Sequence, residues 1–382
     1  MNQVITIGIM SGTSLDGVDA VALRFTRAAS AQEEAFETLG RASLEMPQRL
    51  RNELRALATG TTHEIERMGD ASVALADLYA SVTEKLLSAC RLDRHDVAAL
   101  GIHGQTIRHR PERGFTVQLN HPARVAEKIG IPVIADFRSR DVAAGGEGAP
   151  LVPAFHAHVF AAAEPRAVLN IGGIANLTLL PGKAEKGLVL GFDTGPGNTL
   201  LDHWMHVKFG VNLDHNGTVA ASGHVLPKLL ASFLDEPYFV APSPKSTGRE
   251  RFSPEWLDKK LALTGTANAA PNDIAATLVE LTAHSIARAL QASHPQCKRL
   301  FVCGGGTLNP YLMMRLRSAL WGLPEFSTLP VEDSSVAGID PMAVEGAAFA
   351  WLARSFLAGE PGNLPAVTRA TGPRILGALY PA

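Results

Sequence analysis

Twice in this chain a β-rich run breaks into glycine and small polar residues, then resumes as a second extended run. Residues 4–10 lead into SGTSLDG and on to 18–25; residues 167–170 lead into GGIAN and on to 177–180. Loops of Gly, Ser, Thr and Asp between apolar runs are hairpin signals. Each pair is followed by a third β-rich run, at 35–46 and at 187–192, the second ending in DTGPGN. A chain that starts the same hairpin twice, with helices after each, is constrained to an α/β architecture of two similar domains. Its 382 residues suffice for two.

Between the two starts, Thr61 and Thr62 offer an N-cap for a helix reaching Cys90. Along it Ile65, Met68, Ser72, Leu75, Tyr79, Val82 and Leu86 recur at steps of three and four, which buries one helix face. That face packs on the chain's own sheet or forms a dimer seam. Strands are expected at 97–102, ending in HGQT, and at 132–135, ending in DFRSRD. GGEGAP at 145–150 reads as a hinge or turn before a helix at 151–163. A helix starts near Thr199, and further helices are expected at 225–234, 254–263, 273–293, 308–320 and 342–357. Strand 299–303 opens into GGGTLN, and a last strand covers 374–379.

Composition removes several functional classes. There are 35 basic and 37 acidic residues, a net charge of −2, without the basic face that nucleic-acid binding needs. Apolar residues make up 46%, and no run reaches the ~18 to 20 residues of a membrane span. MNQVITIGIM lacks the basic start and apolar stretch of a signal peptide. Cys90, Cys297 and Cys303 have neither CxxC pairing nor histidine spacing, which suits free thiols in a reducing compartment. The expectation is a cytoplasmic protein with a small-molecule ligand, bound to neither nucleic acid nor membrane.

Five segments gather glycine with small polar or acidic residues: 12–17, 145–148, 172–173, 193–198 and 304–306. Glycine lets a backbone approach a ligand closely, and successive N–H groups make an anion-binding concavity. Any one such loop is more often a hairpin turn; five in one chain weaken that reading. Asp16, Asp19 and Asp193 read together as a metal–nucleotide environment, because an acid beside a phosphate loop holds Mg²⁺ rather than the phosphate. No GxxxxGK[ST] or GxGxxG signature is present, which argues against a P-loop or a Rossmann site.

Phosphate loops on hairpins in two separate halves resemble the actin, hexokinase and heat-shock-chaperone ATPase superfamily. The spelling narrows this. IGIMSGTSLDGVDA, GIHGQT, ADFRSRD, GGEGAPLVPAFH, NIGGIANLT, GFDTGPGN, KSTGRE and CGGG, in that order, are similar to the anhydro-N-acetylmuramic acid kinase family from residue 7 to the final LGALYP. The resemblance implies two ribonuclease-H-like domains flanking an ATP cleft: residues 1–137 joined by a return segment at about 355–382, and residues 138–354.

It also implies a reaction: ATP phosphorylates O6 of 1,6-anhydro-N-acetylmuramic acid while water opens the anhydro ring, giving N-acetylmuramic acid 6-phosphate in cell-wall recycling. By motif position, Asp193 is the general base and Glu345 a second catalytic acid. Gly12, Thr13, Ser14, Leu15, Asp16, Gly17, Val18, Asp19, Gly172, Gly173, Gly195, Gly197, Asn198, Gly304, Gly305 and Gly306 fall to ATP. Asp16 and Asp19 hold Mg²⁺ through water. His103, Gln105, Arg138 and Asn176, with Thr178, fall to the sugar; Arg138 suits the lactyl carboxylate or a phosphate, with pairing to Asp136 or Asp141 as its structural competitor. A homodimer is implied as well. Glu147, where Gln is as frequent, and Thr307-Leu308, in place of Ala-His, depart from the family spelling. Other readings are a non-catalytic actin-like switch or sugar sensor, for which Asp193 has no use, and an ATP-independent hydrolase, for which the 12–17 loop has none.

Overall fold

The computed structural model describes residues 2–12, 15–27, 34–185, 187–243, 245–248 and 250–382. Its strands are β1 (Asn2–Met10), β2 (Gly17–Arg27), β3 (Ala35–Glu45), β4 (Val97–Ile102), β5 (Gln105–Arg110), β6 (Phe115–Leu119) and β7 (Val133–Ala135). They continue as β8 (Arg166–Ile171), β9 (Ile174–Leu180), β10 (Leu190–Pro196), β11 (Leu300–Cys303), β12 (Val331–Asp333) and β13 (Ala378–Tyr380). The chain divides into two compact units: Met1–Phe155 with Ala343–Ala382, and His156–Met342.

Both units carry one sheet topology. In the first, β1, β2 and β3 form an antiparallel meander, β4 joins the other edge of β1 in parallel, and β7 follows in parallel. In the second, β8, β9 and β10 form the meander, β11 joins β8 in parallel, and β12 follows in parallel. The repeated hairpin in the sequence thus marks a repeated α/β fold. Strand β13 extends the first sheet, antiparallel to β7.

Glycine sets how close one helix comes to the first sheet. A Cβ on Gly8 would lie 1.9 Å from the Gly346 carbonyl oxygen, and one on Gly101 would lie 2.2 Å from that of Phe349. Strands β1 and β4 therefore receive the backbone of helix Val344–Leu357 itself, and Thr6 Oγ1 donates to Ala350 O at 2.7 Å. This contact puts the helix in the first unit. The sequence reading ran the second domain over 138–354; the observed unit is His156–Met342. Residues 138–155 also join the first unit; at the C-terminal boundary the difference arises because VEGAAFAWLA docks through small residues, which a hydrophobic pattern does not reveal.

Other elements differ from expectation for local reasons. Helix Glu64–Cys90 begins after His63 in the left-handed region, with no side-chain cap; instead Thr61 N–H donates to Glu64 Oε1 at 3.0 Å. Its stripe does bury Leu75, Tyr79, Val82 and Leu86 in the first core, while Ile65 is 83% exposed. Helices Gln48–Thr59 and Pro122–Ile129 and the β5–β6 ribbon went unexpected. The ribbon has little alternation and is held by Ile107 and Leu119, which bury in the same core. DTGP lies within β10 rather than after it, with a register break between Asp193 and Gly195. In the second unit, helix Pro271–Ser293 is buried on nearly every face within the core. Cys297 and Cys303 are buried thiols and Cys90 is half-buried, with no disulfide among the described residues. Among the described residues no helix is long and apolar enough to cross a membrane.

Candidate active site

In the first unit the 12–19 loop is braced from behind. Leu15 has φ 61°, and its N–H donates to Gly12 O at 3.1 Å. Arg51 Nε donates to Leu15 O at 2.9 Å, and Met46 N–H to Asp16 O at 3.0 Å. The Leu15 and Val18 side chains are buried in the core, so these two residues offer a ligand backbone only. Gly17 is required by packing, since a Cβ there would meet Leu44 O at 2.6 Å. Thr13 and Ser14 lie outside the described residues.

HGQT and DFR come together in the same unit. Arg138 donates to His103 Nε2 from Nε at 3.0 Å and from Nη2 at 2.8 Å, and to Gly148 O from Nη1 at 2.8 Å. A guanidinium only donates, so Nε2 is the acceptor and the neutral ring carries its proton on Nδ1. Burial and the Arg138 charge hold the His103 pKa well below the usual histidine range. Burial also lowers Arg138, to about 10, against the pull of Glu345 and Asp141, so it stays charged at neutral pH. Among the described residues Arg138 has no ion-pair partner. Asp136 accepts from Ser139 and Asp141 from neutral donors, so the competing structural pairing is not made. Two of the five Arg138 donors remain for an anion.

Among the described residues, His103 Nδ1, Gln105 Oε1 and both Nδ2 and Oδ1 of Asn120 are buried polar atoms without hydrogen-bond partners. Asn120 follows Leu119, the cross-strand partner of Gln105. Buried polar atoms are nearly always satisfied in proteins, and a donor and acceptor set like this suits a polar ligand.

Glu345 stands in the first turn of helix Val344–Leu357. Burial raises its pKa, Arg138 opposes the rise and Asp19 adds to it, so Asp19 and Glu345 share one electrostatic neighbourhood. Asp19 Oδ1 accepts from Ser43 Oγ; Asp16 is exposed. Hard carboxylate oxygens without a cage of three or more ligands among the described residues fit Mg²⁺, which keeps its waters and phosphate oxygens.

In the second unit Asp193 is held on every side but one. Its N–H donates to Lys245 O at 2.9 Å, its carbonyl accepts from Tyr238 OH at 2.7 Å, and Oδ2 accepts from Thr247 N–H at 2.9 Å. Burial raises its pKa to about 6, with Thr247 opposing and Glu250 reinforcing. It does not cap the following helix. Asn176 is its cross-strand partner. Thr178 is 1% exposed and bonded to His156 Nδ1 at 2.8 Å, a core role.

The glycine loops of this unit are largely knit to one another. N–H groups of Gly197 and Asn198 donate to Gly173 O and Gly172 O, both at 2.9 Å. Cβ atoms on Gly195, Gly197, Gly304 and Gly306 would collide with Phe239, Gly172 O, Asn170 Oδ1 and Ile171. Gly305 alone of these has nothing within 4 Å of an added Cβ, which leaves its backbone open to a ligand. Thr307, one of the two departures, donates its Oγ1 to Gly304 O at 2.7 Å and steadies that loop.

The family model for anhydro-N-acetylmuramic acid kinase matches residues 4–382. The chain belongs to this family. It is 52% identical over 382 residues to an anhydro-N-acetylmuramic acid kinase of Burkholderia cenocepacia, covering 99% of this chain and 96% of that protein. Similar kinases of Variovorax paradoxus and Bordetella petrii are 51% and 50% identical, covering 98% of this chain each and 98% and 96% of those proteins.

What sequence reasoning missed in this member of the anhydro-N-acetylmuramic acid kinase family are residues that hold others. Arg51 braces the first loop, Tyr238, Lys245 and Thr247 fix Asp193, and Asn120 adds a buried amide that is unsatisfied among the described residues. KSTGRE was visible as a motif, but no spacing ties it to a residue some fifty positions earlier.

Proposed function

We propose that this chain is an ATP-dependent carbohydrate kinase that phosphorylates 1,6-anhydro-N-acetylmuramic acid at O6 and opens its anhydro ring with water. The observation that carries the reading is Asp193: a carboxylate anchored through one oxygen, with a pKa of about 6. A general base is most useful with a pKa near the working pH. The unpaired Arg138 cation supports an anionic sugar.

In the anhydro ring O6 is an ether oxygen bridging C1 and C6, so it has no proton to lose. Asp193 takes a proton from water as the water oxygen bonds to C1. The C1–O6 bond breaks, O6 leaves with its electron pair, and that pair forms the bond to the γ-phosphorus as ADP departs. The phosphoryl group caps the leaving oxygen, so this step needs no acid at O6. Asn176, beside Asp193, suits orientation of the water or the sugar.

Arg138 offers its two remaining donors to the lactyl carboxylate, while His103 Nδ1–H and Gln105 Oε1 meet sugar polar groups. Backbone at Gly12 and Gly305 suits phosphate and nucleotide. Asp16 and Asp19, through water, and Glu345 nearby would hold Mg²⁺, which neutralises phosphate charge when bound. ATP as the donor supports a cytoplasmic protein; the homodimer follows from the family resemblance and is checked by solution mass.

The test is purified protein with Mg-ATP and the anhydro sugar in ¹⁸O-water, read by mass spectrometry. The expected product is the 6-phosphate with one ¹⁸O at C1. ADP release with an intact ring, or ring opening without ATP, would sink the reading.

A further inference from the structure

Asp141 is a fully buried carboxylate in the short helix Ser139–Ala143, and among the described residues it forms no salt bridge. Its hydrogen bonds come from neutral donors. Oδ2 accepts from Gly148 N–H at 2.8 Å; Oδ1 accepts from Asn363 Nδ2 at 2.7 Å and Thr368 Oγ1 at 2.8 Å. Gly146 N–H donates to the Asp141 carbonyl at 2.9 Å, and a Cβ on Gly146 would lie 2.2 Å from Oδ2. The GGEGAP turn is therefore wrapped around this one carboxylate.

Gly148 carries the contact onward. Its N–H is held by Asp141 and its carbonyl accepts Arg138 Nη1 at 2.8 Å. At φ +68°, with Val142 Cγ2 only 2.8 Å from an added Cβ, the position admits little but glycine. Arg138 in turn grips His103 Nε2 and so sets which ring nitrogen carries the proton. An unbroken series of hydrogen bonds runs from Asn363 and Thr368 through Asp141, Gly148 and Arg138 to His103. Desolvating a carboxylate without a cation is costly, and an apolar group would fill the space more cheaply. What the charge adds is a stronger, directed hold on Gly148 and a pull on the guanidinium beside it.

We propose that Asp141 is a positioning residue for the sugar site: by holding Gly148 it fixes the Arg138 guanidinium and, through it, the His103 tautomer. Asn363 and Thr368 make the C-terminal segment part of that support. Glu147 tightens the same junction, with its N–H on Thr368 O at 2.6 Å and its carboxylate on Arg369 at 2.7 Å. The inference rests on reading Arg138 and His103 as sugar ligands.

The experiment compares wild type, Asp141→Asn and Thr368→Val in the full chain, by steady-state kinetics and by long-range ¹H–¹⁵N spectra of the His103 ring. In Asp141→Asn the KM for the anhydro sugar should rise about tenfold or more, with the KM for ATP within about twofold. His103 should pass from a single Nδ1–H tautomer to a mixture. Thr368→Val should move both readouts in the same direction, less far. A merely structural role lowers kcat through the active fraction and moves neither KM nor tautomer; that result overturns the proposal. If Asp141→Asn does not fold, wild-type KM and a single tautomer in Thr368→Val overturn it instead. Absence of turnover in wild type would defeat the functional reading, while the tautomer in unliganded protein still decides whether Asp141 acts on His103.

Discussion

Thr247 N–H donates to Asp193 Oδ2 at 2.9 Å, and among the described residues no other group bonds that carboxylate. One oxygen is fixed, and among the described residues the other carries no bond. The anchoring bond favours the charged form, but burial outweighs it, so the pKa settles at about 6 rather than in the ordinary aspartate range. Asp193 is thus ionised at neutral pH yet still basic enough to accept a proton.

Replacing Asp193 by Asn should leave nucleotide binding near wild type and lower kcat by about 10²–10⁴, the usual contribution of a positioned base. Isothermal titration with a non-hydrolysable ATP analogue and a turnover assay check the two halves. Near-normal turnover would remove Asp193 as the base.

The same substitution should raise Tm at neutral pH. A carboxyl whose folded pKa is raised to about 6 destabilises the fold when ionised, so its contribution is lost as pH rises through that value. Melting curves should separate the two proteins at about pH 7.5 and bring them together near pH 4. A gain at the lower pH alone would contradict the burial argument.

The acid limb of kcat/KM for the sugar should titrate near pH 6, with activity lost as Asp193 gains a proton. Glu250 pushes this pKa up by its negative charge, so Glu250→Gln should move the limb to lower pH. A pH–rate profile unchanged by that substitution would assign the limb to another group.

Arg138→Lys should raise the sugar KM by about 10-fold or more, because an ammonium cannot make the fork and also hold His103 and Gly148. An uncharged ester of the sugar acid should lose much less. Equal losses for acid and ester would place the carboxylate elsewhere.

Asn120→Leu tests the amide with two unsatisfied buried atoms. It keeps the side-chain volume and removes both polar atoms, so the sugar KM should rise about tenfold while the KM for ATP holds. Unchanged kinetics would mean that those atoms do not meet the sugar.

The two hairpins were legible because loop chemistry and alternation are local properties, and they carried the whole α/β duplication with them. Asp193, Arg138, His103 and Gln105 were legible as motif positions. Their partners were not: Thr247 lies 54 residues from Asp193 and Thr368 lies 227 from Asp141. Helix Val344–Leu357 was placed as an element but assigned to the other domain, since glycine-to-backbone docking has no periodic signature.

By itself, then, the sequence determined the fold class, the family and the candidate site residues, because strand pairing, turn chemistry and motif spelling depend on neighbours along the chain. Only the tertiary structure decided the protonation chemistry of those side chains. Asp193 at about 6, a neutral His103 and a charged Arg138 without an ion-pair partner among the described residues all follow from burial and from bonds to residues remote in sequence. Desolvation and directed hydrogen bonding exist only once the chain has folded around them.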